Sequence, residues 1–271
     1  MIHPLILLIS ILLLSACSPF APDITNENEP NEGGTSQSVI QEEEDPDENT
    51  EEPGHAGMEI QSVMQFELDL VLEEEDDWHF FYELEPDGFQ ATVEGAQPDQ
   101  VVGDDAFTEV EALLTRLSVT TEHSITGIVS GVTSALNTDI RDIESFSLVL
   151  VTTQGERFEF AFEDLSGEDR LEDASAFRFE NRLYSGETMV MAYGESEPST
   201  VEEPNGDALR GAQADELIRQ YLADMAFAYD MPLAELKHAM LTPVNIEADE
   251  VADFTLEASF ADGYLRIQHV Y

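Results

Sequence analysis

Basic side chains are scarce in this chain. Its 271 residues hold ten Lys and Arg against 59 Asp and Glu, a formal net charge of −49, and Lys237 is the only lysine. Phosphate binding needs a basic face, so nucleic acid is not an expected partner. Cysteine is scarcer still: Cys17 stands alone, which leaves no disulfide in the folded part and no thiolate set for zinc. The six histidines (His3, His55, His79, His123, His238 and His269) never fall at H-x-x-x-H or H-E-x-x-H spacing. No metal and no cofactor are therefore expected. G-x-S-x-G, phosphate-loop and G-x-G-x-x-G patterns are missing too. Carboxylate pairs are so numerous that none stands out as a glycosidase pair, and the chain is not expected to be an enzyme. Nor does any apolar run reach the roughly 20 residues a spanning helix needs.

What the sequence does hold begins with MIHPLILLISILLLSAC. The first sixteen residues carry no charge, and Leu5 to Leu14 is apolar except for Ser10. That length fits the apolar core of a secretory signal, with small Ser15 and Ala16 before the cut. Leu14-Ser15-Ala16-Cys17 resembles the bacterial lipobox. The resemblance implies that residues 1–16 are a cleaved signal peptide and that the Cys17 sulfur carries a diacylglyceryl group, with acylation such as palmitate on the new amino terminus. Two or more chains anchor a protein stably. The expected location is the extracellular face of the cell membrane, held by lipid.

Residues 18–58 hold 12 acidic residues, no Lys or Arg and few large apolar side chains. Such a segment cannot bury enough apolar surface to offset its chain entropy. Residues 17–58 are thus expected to be a lipidated, disordered acidic tether, spanning roughly 35 Å as a flexible coil and more under self-repulsion. QEEEDPDENTEEP lacks the D-x-D-x-D-G spacing of a calcium loop.

From about residue 60 the patterning changes. MQFELDLVL (64–72) alternates apolar and polar, as a strand does, and WHFFYEL (78–84) and FQATVEG (89–95) follow. FTEVEALLTRLSV (107–119) switches to helical period, capped by Asp104 or Asp105, and ITGIVSGVTSALN (125–137) is a second, weaker helix. SFSLVLVTTQGERFEFAF (145–162) reads as a hairpin around Gln154-Gly155. A slide of 108 residues then brings a second set into register. Gly103 meets Gly211, Val110 meets Ile218, Asn137 meets Asn245, Phe146 meets Phe254 and Gly155 meets Gly263, while FRFENRLYSGETMVMAYG (177–194) supplies the early strands. The expected fold class is α+β. Two tandem related domains, 59–165 and 169–271, would each be an antiparallel sheet with two helices packed on one face, in the order β-β-β-α-α-β-β.

The succession of lipobox, acidic tether, FELDLVL…WHFFYEL, LLTRLSVT and ALN…ESFSLVLVTTQGERFEF resembles the YusW-like lipoproteins of Bacillus-type bacteria. The likeness covers about residues 60–162, with the second unit as a divergent copy. It implies a secreted, membrane-anchored protein and brings no catalytic residue with it.

The expected role is non-catalytic binding or scaffolding in the cell envelope, toward an unidentified envelope protein or wall polymer. Trp78, Phe80, Phe81 and Tyr82 are the candidate binding platform. An alternative is that both faces of that strand are covered, for instance by the sister domain. An envelope hydrolase using paired carboxylates and a cation-responsive acidic module are the alternative functions. The acidity itself suits salty or alkaline surroundings, where salt screens self-repulsion.

Overall fold

The computed structural model describes residues 57–73, 77–95, 100–163, 170–194, 198–225, 227–261 and 263–271. The expected signal peptide (1–16), Cys17 and all but the last residues of the expected tether lie outside this set, as does most of the polar join from Asp164 to Asp173.

The described chain is α+β, with an antiparallel sheet and four helices. In the first half, β1 (Val63–Leu72), β2 (Trp78–Glu85), β3 (Gly88–Glu94) and a two-residue β4 (Val101–Val102) precede α1 (Asp104–Leu114) and α2 (Ile125–Leu136); β5 (Ile143–Thr152) and β6 (Arg157–Glu163) close it. The second half runs β7 (Ala176–Leu183), β8 (Thr188–Tyr193), β9 (Thr200–Glu202), β10 (Ala208–Arg210), α3 (Ala212–Asp224), α4 (Leu233–Leu241), β11 (Val251–Ser259) and β12 (Tyr264–Val270). The short strands β4, β9 and β10 were not expected, because two or three residues are too few to show alternation.

Local chemistry explains the helix ends. The sequence suggests an aspartate cap for α1, but Gly103 holds that position at φ 70° and ψ −136°, a region that side chains disfavour. Asp104 and Asp105 instead fall in the first turn, where they complement the helix dipole. Gly211 opens α3 in nearly the same conformation. Ser124 caps α2 by accepting the Gly127 N–H at 3.0 Å. Asn137 then stops α2 in the left-handed region at φ 57° and ψ 41°, and Asn245 takes the same angles after α4 and its 3-10 extension.

Period two along the strands separates the sheet's faces. Phe66, Leu68, Leu70, Leu72, Phe146, Leu148, Leu150, Phe158 and Phe160 are buried beneath the helices, and in the second half Phe177, Phe179, Phe254, Leu256, Leu265 and Ile267 repeat that layer. The opposite side chains, such as Glu67, Asp69, Ser147, Glu159, Thr255 and Arg266, are only half covered. Among the described residues no helix lies on that second face.

The expectation of a separate sheet for each half is corrected by the strand order, β10-β9-β8-β7-β11-β12-β6-β5-β1-β2-β3-β4, which is one twelve-stranded sheet. β6 and β12 pair antiparallel from Arg157 opposite Val270 to Glu163 opposite Tyr264. Each would otherwise be an edge with unpaired backbone groups, and pairing removes both edges. The order is palindromic about this seam. A second junction agrees with it. The loops ahead of α2 and α4 bridge at Ser124 and Pro232, and Leu233 N–H donates to His123 O at 3.1 Å. The sister half therefore joins edge to edge and covers neither face of β2.

Candidate functional site

Trp78, Phe80, Phe81 and Tyr82 do not form one platform. Strand alternation sends Phe80 and Tyr82, each 3% exposed, into the core, and Phe81 to the opposite face. Trp78 is half-buried and stacks on Phe80 at 5.9 Å. Together with Ala112, Leu113 and Leu136 these two rings line a shallow notch of about 180 Å³ beside α1 and α2. Tyr82 packs on Phe89 and Phe107, and burial raises its hydroxyl pKa.

On the uncovered face, β1 and β2 place His79 opposite Asp69, with Nδ1 at 2.7 Å from Oδ1. Glu67 is the next residue of β1 on that face, and donor atoms of all three lie within 4.8 Å of one another, a spacing that a divalent cation could use. Toward the seam and beyond it the face becomes a lattice of ion pairs. Arg157 and Arg266 both reach Glu159, at 2.9 and 2.8 Å, and Arg266 also reaches Glu257 at 2.6 Å. Arg178 pairs with Glu180, and Arg210 with Glu202 at 3.3 Å.

Small side chains hollow this face in the second half. Ala176, Val190, Ala192, Gly194, Thr200 and Ser259 line a concavity of about 490 Å³ bordered by Arg178, Glu202, Glu257 and Tyr264. It offers an apolar floor with both signs of charge on its walls, which suits a polar chain laid across the strands.

A different polar cluster, which the sequence analysis did not single out, lies inside the core. Lys237 on α4 and His269 on β12 are 2% and 0% exposed. Lys237 Nζ lies 3.2 Å from His269 Nδ1 and donates to the Tyr271 hydroxyl at 3.2 Å. The other imidazole nitrogen, Nε2, sits 2.8 Å from Glu156 Oε1, in the β5–β6 turn of the other half. These contacts fit one tautomer: Nε2 donates to the carboxylate and Nδ1 accepts from the amine. Burial lowers the Lys237 pKa to about 8, and the Glu156 charge opposes that shift. Burial and then Lys237 lower the pKa of His269, against the pull of Glu156.

The first half shows how unusual this cluster is. Strand pairing and helix starts place Leu70, Phe146, Phe162 and Val129 where the second half has Asn181, Phe254, His269 and Lys237. Three positions that are apolar in the first half are polar in the second, around a phenylalanine found in both. Asn181 is fully buried, and neither its amide oxygen nor its nitrogen has a partner. The signal for this cluster was present in the sequence: the sole lysine falls on the apolar stripe of a helix, at the position that Val129 holds in the first half.

Among the described residues no helix is long and apolar enough to cross a membrane. No curated protein and no solved structure matches the chain. Residues 64–152, from β1 through β5, match the family described as YusW-like protein.

Proposed function

We propose that this chain is an extracellular lipoprotein, anchored through Cys17, that binds a protein or wall polymer of the cell envelope without catalysis. Its two halves would be tandem copies of one α+β unit, the second diverged. Three features support the reading: the apolar leader ending at Cys17, the acidic stretch after it, and a repeated order of elements.

The observation that carries the binding role is the uncovered sheet face with its concavity of about 490 Å³ over β7, β8, β9, β11 and β12. A helix-free face with small residues at its floor exposes strand backbone and side chains to a ligand over a wide area. Ala192→Trp fills that floor from the solvent side and leaves the core layer untouched. In cosedimentation of the full chain with purified wall polymer, and in capture from envelope extract, the variant is expected to lose binding at least tenfold. Equal retention of wild type and variant would remove the face from the proposal.

A further inference from the structure

We propose that Lys237 is an amine site for a small aldehyde or ketone, captured covalently as an imine. The site is separate from the sheet face and goes beyond the binding role.

Its geometry is that of an amine kept reactive by its surroundings. The nitrogen sits over the rings of Phe254 and Tyr271, at 5.7 and 4.4 Å from their centroids. Its hydrogen-bonding neighbours, the imidazole and the phenol, are neutral, so no carboxylate touches it directly. Glu156 reaches it only through His269. A desolvated lysine without a contact counter-ion favours the free amine, the nucleophilic form. The charged and titratable groups around the cluster are Glu156 from the β5–β6 turn, Asp253 from β11, and His269 and Tyr271 at β12.

A stability role explains the cluster poorly, because the first half fills the equivalent positions with Val129, Phe162 and Leu70 and folds in the same way. Asn181, two strands from His269 across Phe254, holds an unpartnered amide in the same layer. Buried polar groups are almost always satisfied, and an amide of this kind supplies both a donor and an acceptor for a small oxygenated ligand. Tyr271 is the solvent-facing member of the cluster at 51% exposure. Rotation of its side chain would open the path to Nζ.

The chemistry balances without an oxidant or reductant. The Lys237 lone pair attacks the carbonyl carbon, a C–N bond forms, and the carbonyl π pair moves onto oxygen, which receives the first amine proton through His269 Nδ1 to give the carbinolamine. His269 Nδ1 then takes the second proton from the nitrogen and passes it to the hydroxyl; the nitrogen lone pair closes the C=N bond as the C–O bond breaks and water leaves, while Glu156 steadies each transient imidazolium through Nε2–H. Both amine hydrogens end in the water.

Because Lys237 is the only lysine, the test is clean. The full chain is treated with glycolaldehyde and cyanoborohydride at pH 8, folded and in urea, and adducts are mapped by peptide mass. At that pH about half of an amine with the lowered pKa is neutral, against well under 1% for an ordinary lysine, so the folded chain is expected to label at Lys237 up to about a hundredfold faster than the unfolded one. His269→Phe, which installs the first half's residue, is expected to slow labelling at least tenfold while the fold, followed by circular dichroism, persists. Labelling of the folded chain no faster than the unfolded would overturn the proposal. Unchanged labelling in the His269 variant would remove its proton-transfer role.

Discussion

Lys237 and His269 set the residue-scale behaviour of the molecule. A lysine whose folded pKa lies below its unfolded value binds fewer protons in the native state across the interval between them. Stability should therefore rise with pH over that interval, from about pH 8 upward. Tyrosines with raised pKa values, Tyr221 foremost, act oppositely once pH passes their unfolded value near 10. The clean window is thus about pH 8 to 9.5, and there the urea unfolding free energy is expected to increase by about 1.5 kcal/mol. Lys237→Val should flatten the slope, and an equally steep slope in that variant would contradict the assignment. His269, with its pKa lowered, adds stability that is complete above its unfolded pKa and lost as pH falls toward its folded one. A triple change, Asn181→Leu with Lys237→Val and His269→Phe, copies the first half. Replacing a buried polar set by packed apolar groups is often neutral or stabilising. Its melting temperature should match or exceed wild type.

At the scale of elements, the clearest parts of the sequence were those with sustained period. ITGIVSGVTSAL gave α2 nearly to the residue, because Ile125, Ile128, Val129 and Val132 mark one stripe and Asn137 marks the stop. The hairpin at Gln154-Gly155 was equally legible, since Gly155 takes φ 88° in the turn. WHFFYEL was legible as a strand but misleading as a platform. Four bulky residues in a row look like one surface, yet alternation divides them between two faces. The seam was not legible at all. Arg157 to Glu163 alternates in the same way whether its far edge faces water or β12. The buried lysine cluster could be found only by aligning the halves, and a three-residue difference between their early strands hid the match of Leu70 with Asn181. The central strand β5 offers a direct test of packing. Leu148 is fully buried between β1 and β6, and Leu148→Ala is expected to destabilise the chain by about 2 to 5 kcal/mol in urea unfolding. A loss below 1 kcal/mol would contradict its central place.

For the whole molecule, the net charge of −49 should make the compact state salt-dependent. Thermal melting of the full chain is expected to shift upward as NaCl rises to about 2 M, with most of the gain below about 1 M, where the Debye length has fallen to roughly 3 Å. A midpoint independent of salt would mean that the acidic side chains are spaced widely enough not to repel. Anchoring is a separate matter. Cys17→Ser is expected to abolish lipid labelling and release the chain from the membrane fraction, and a variant that stays lipidated would contradict the assignment of Cys17.

Both the uncovered face and the reach of Glu156 to His269 depend on the two halves sharing one sheet. Twelve strands at the usual spacing make a surface about 53 Å wide, which two separate sheets would not present. Hydrogen exchange of the backbone amides in β6 and β12 measures this directly. Amides that donate across the seam, between Arg157–Glu163 and Tyr264–Val270, should exchange as slowly as those of β5 and β11. Exchange of those amides at the rate of an open edge would contradict the single sheet and, with it, the continuous face assigned to binding.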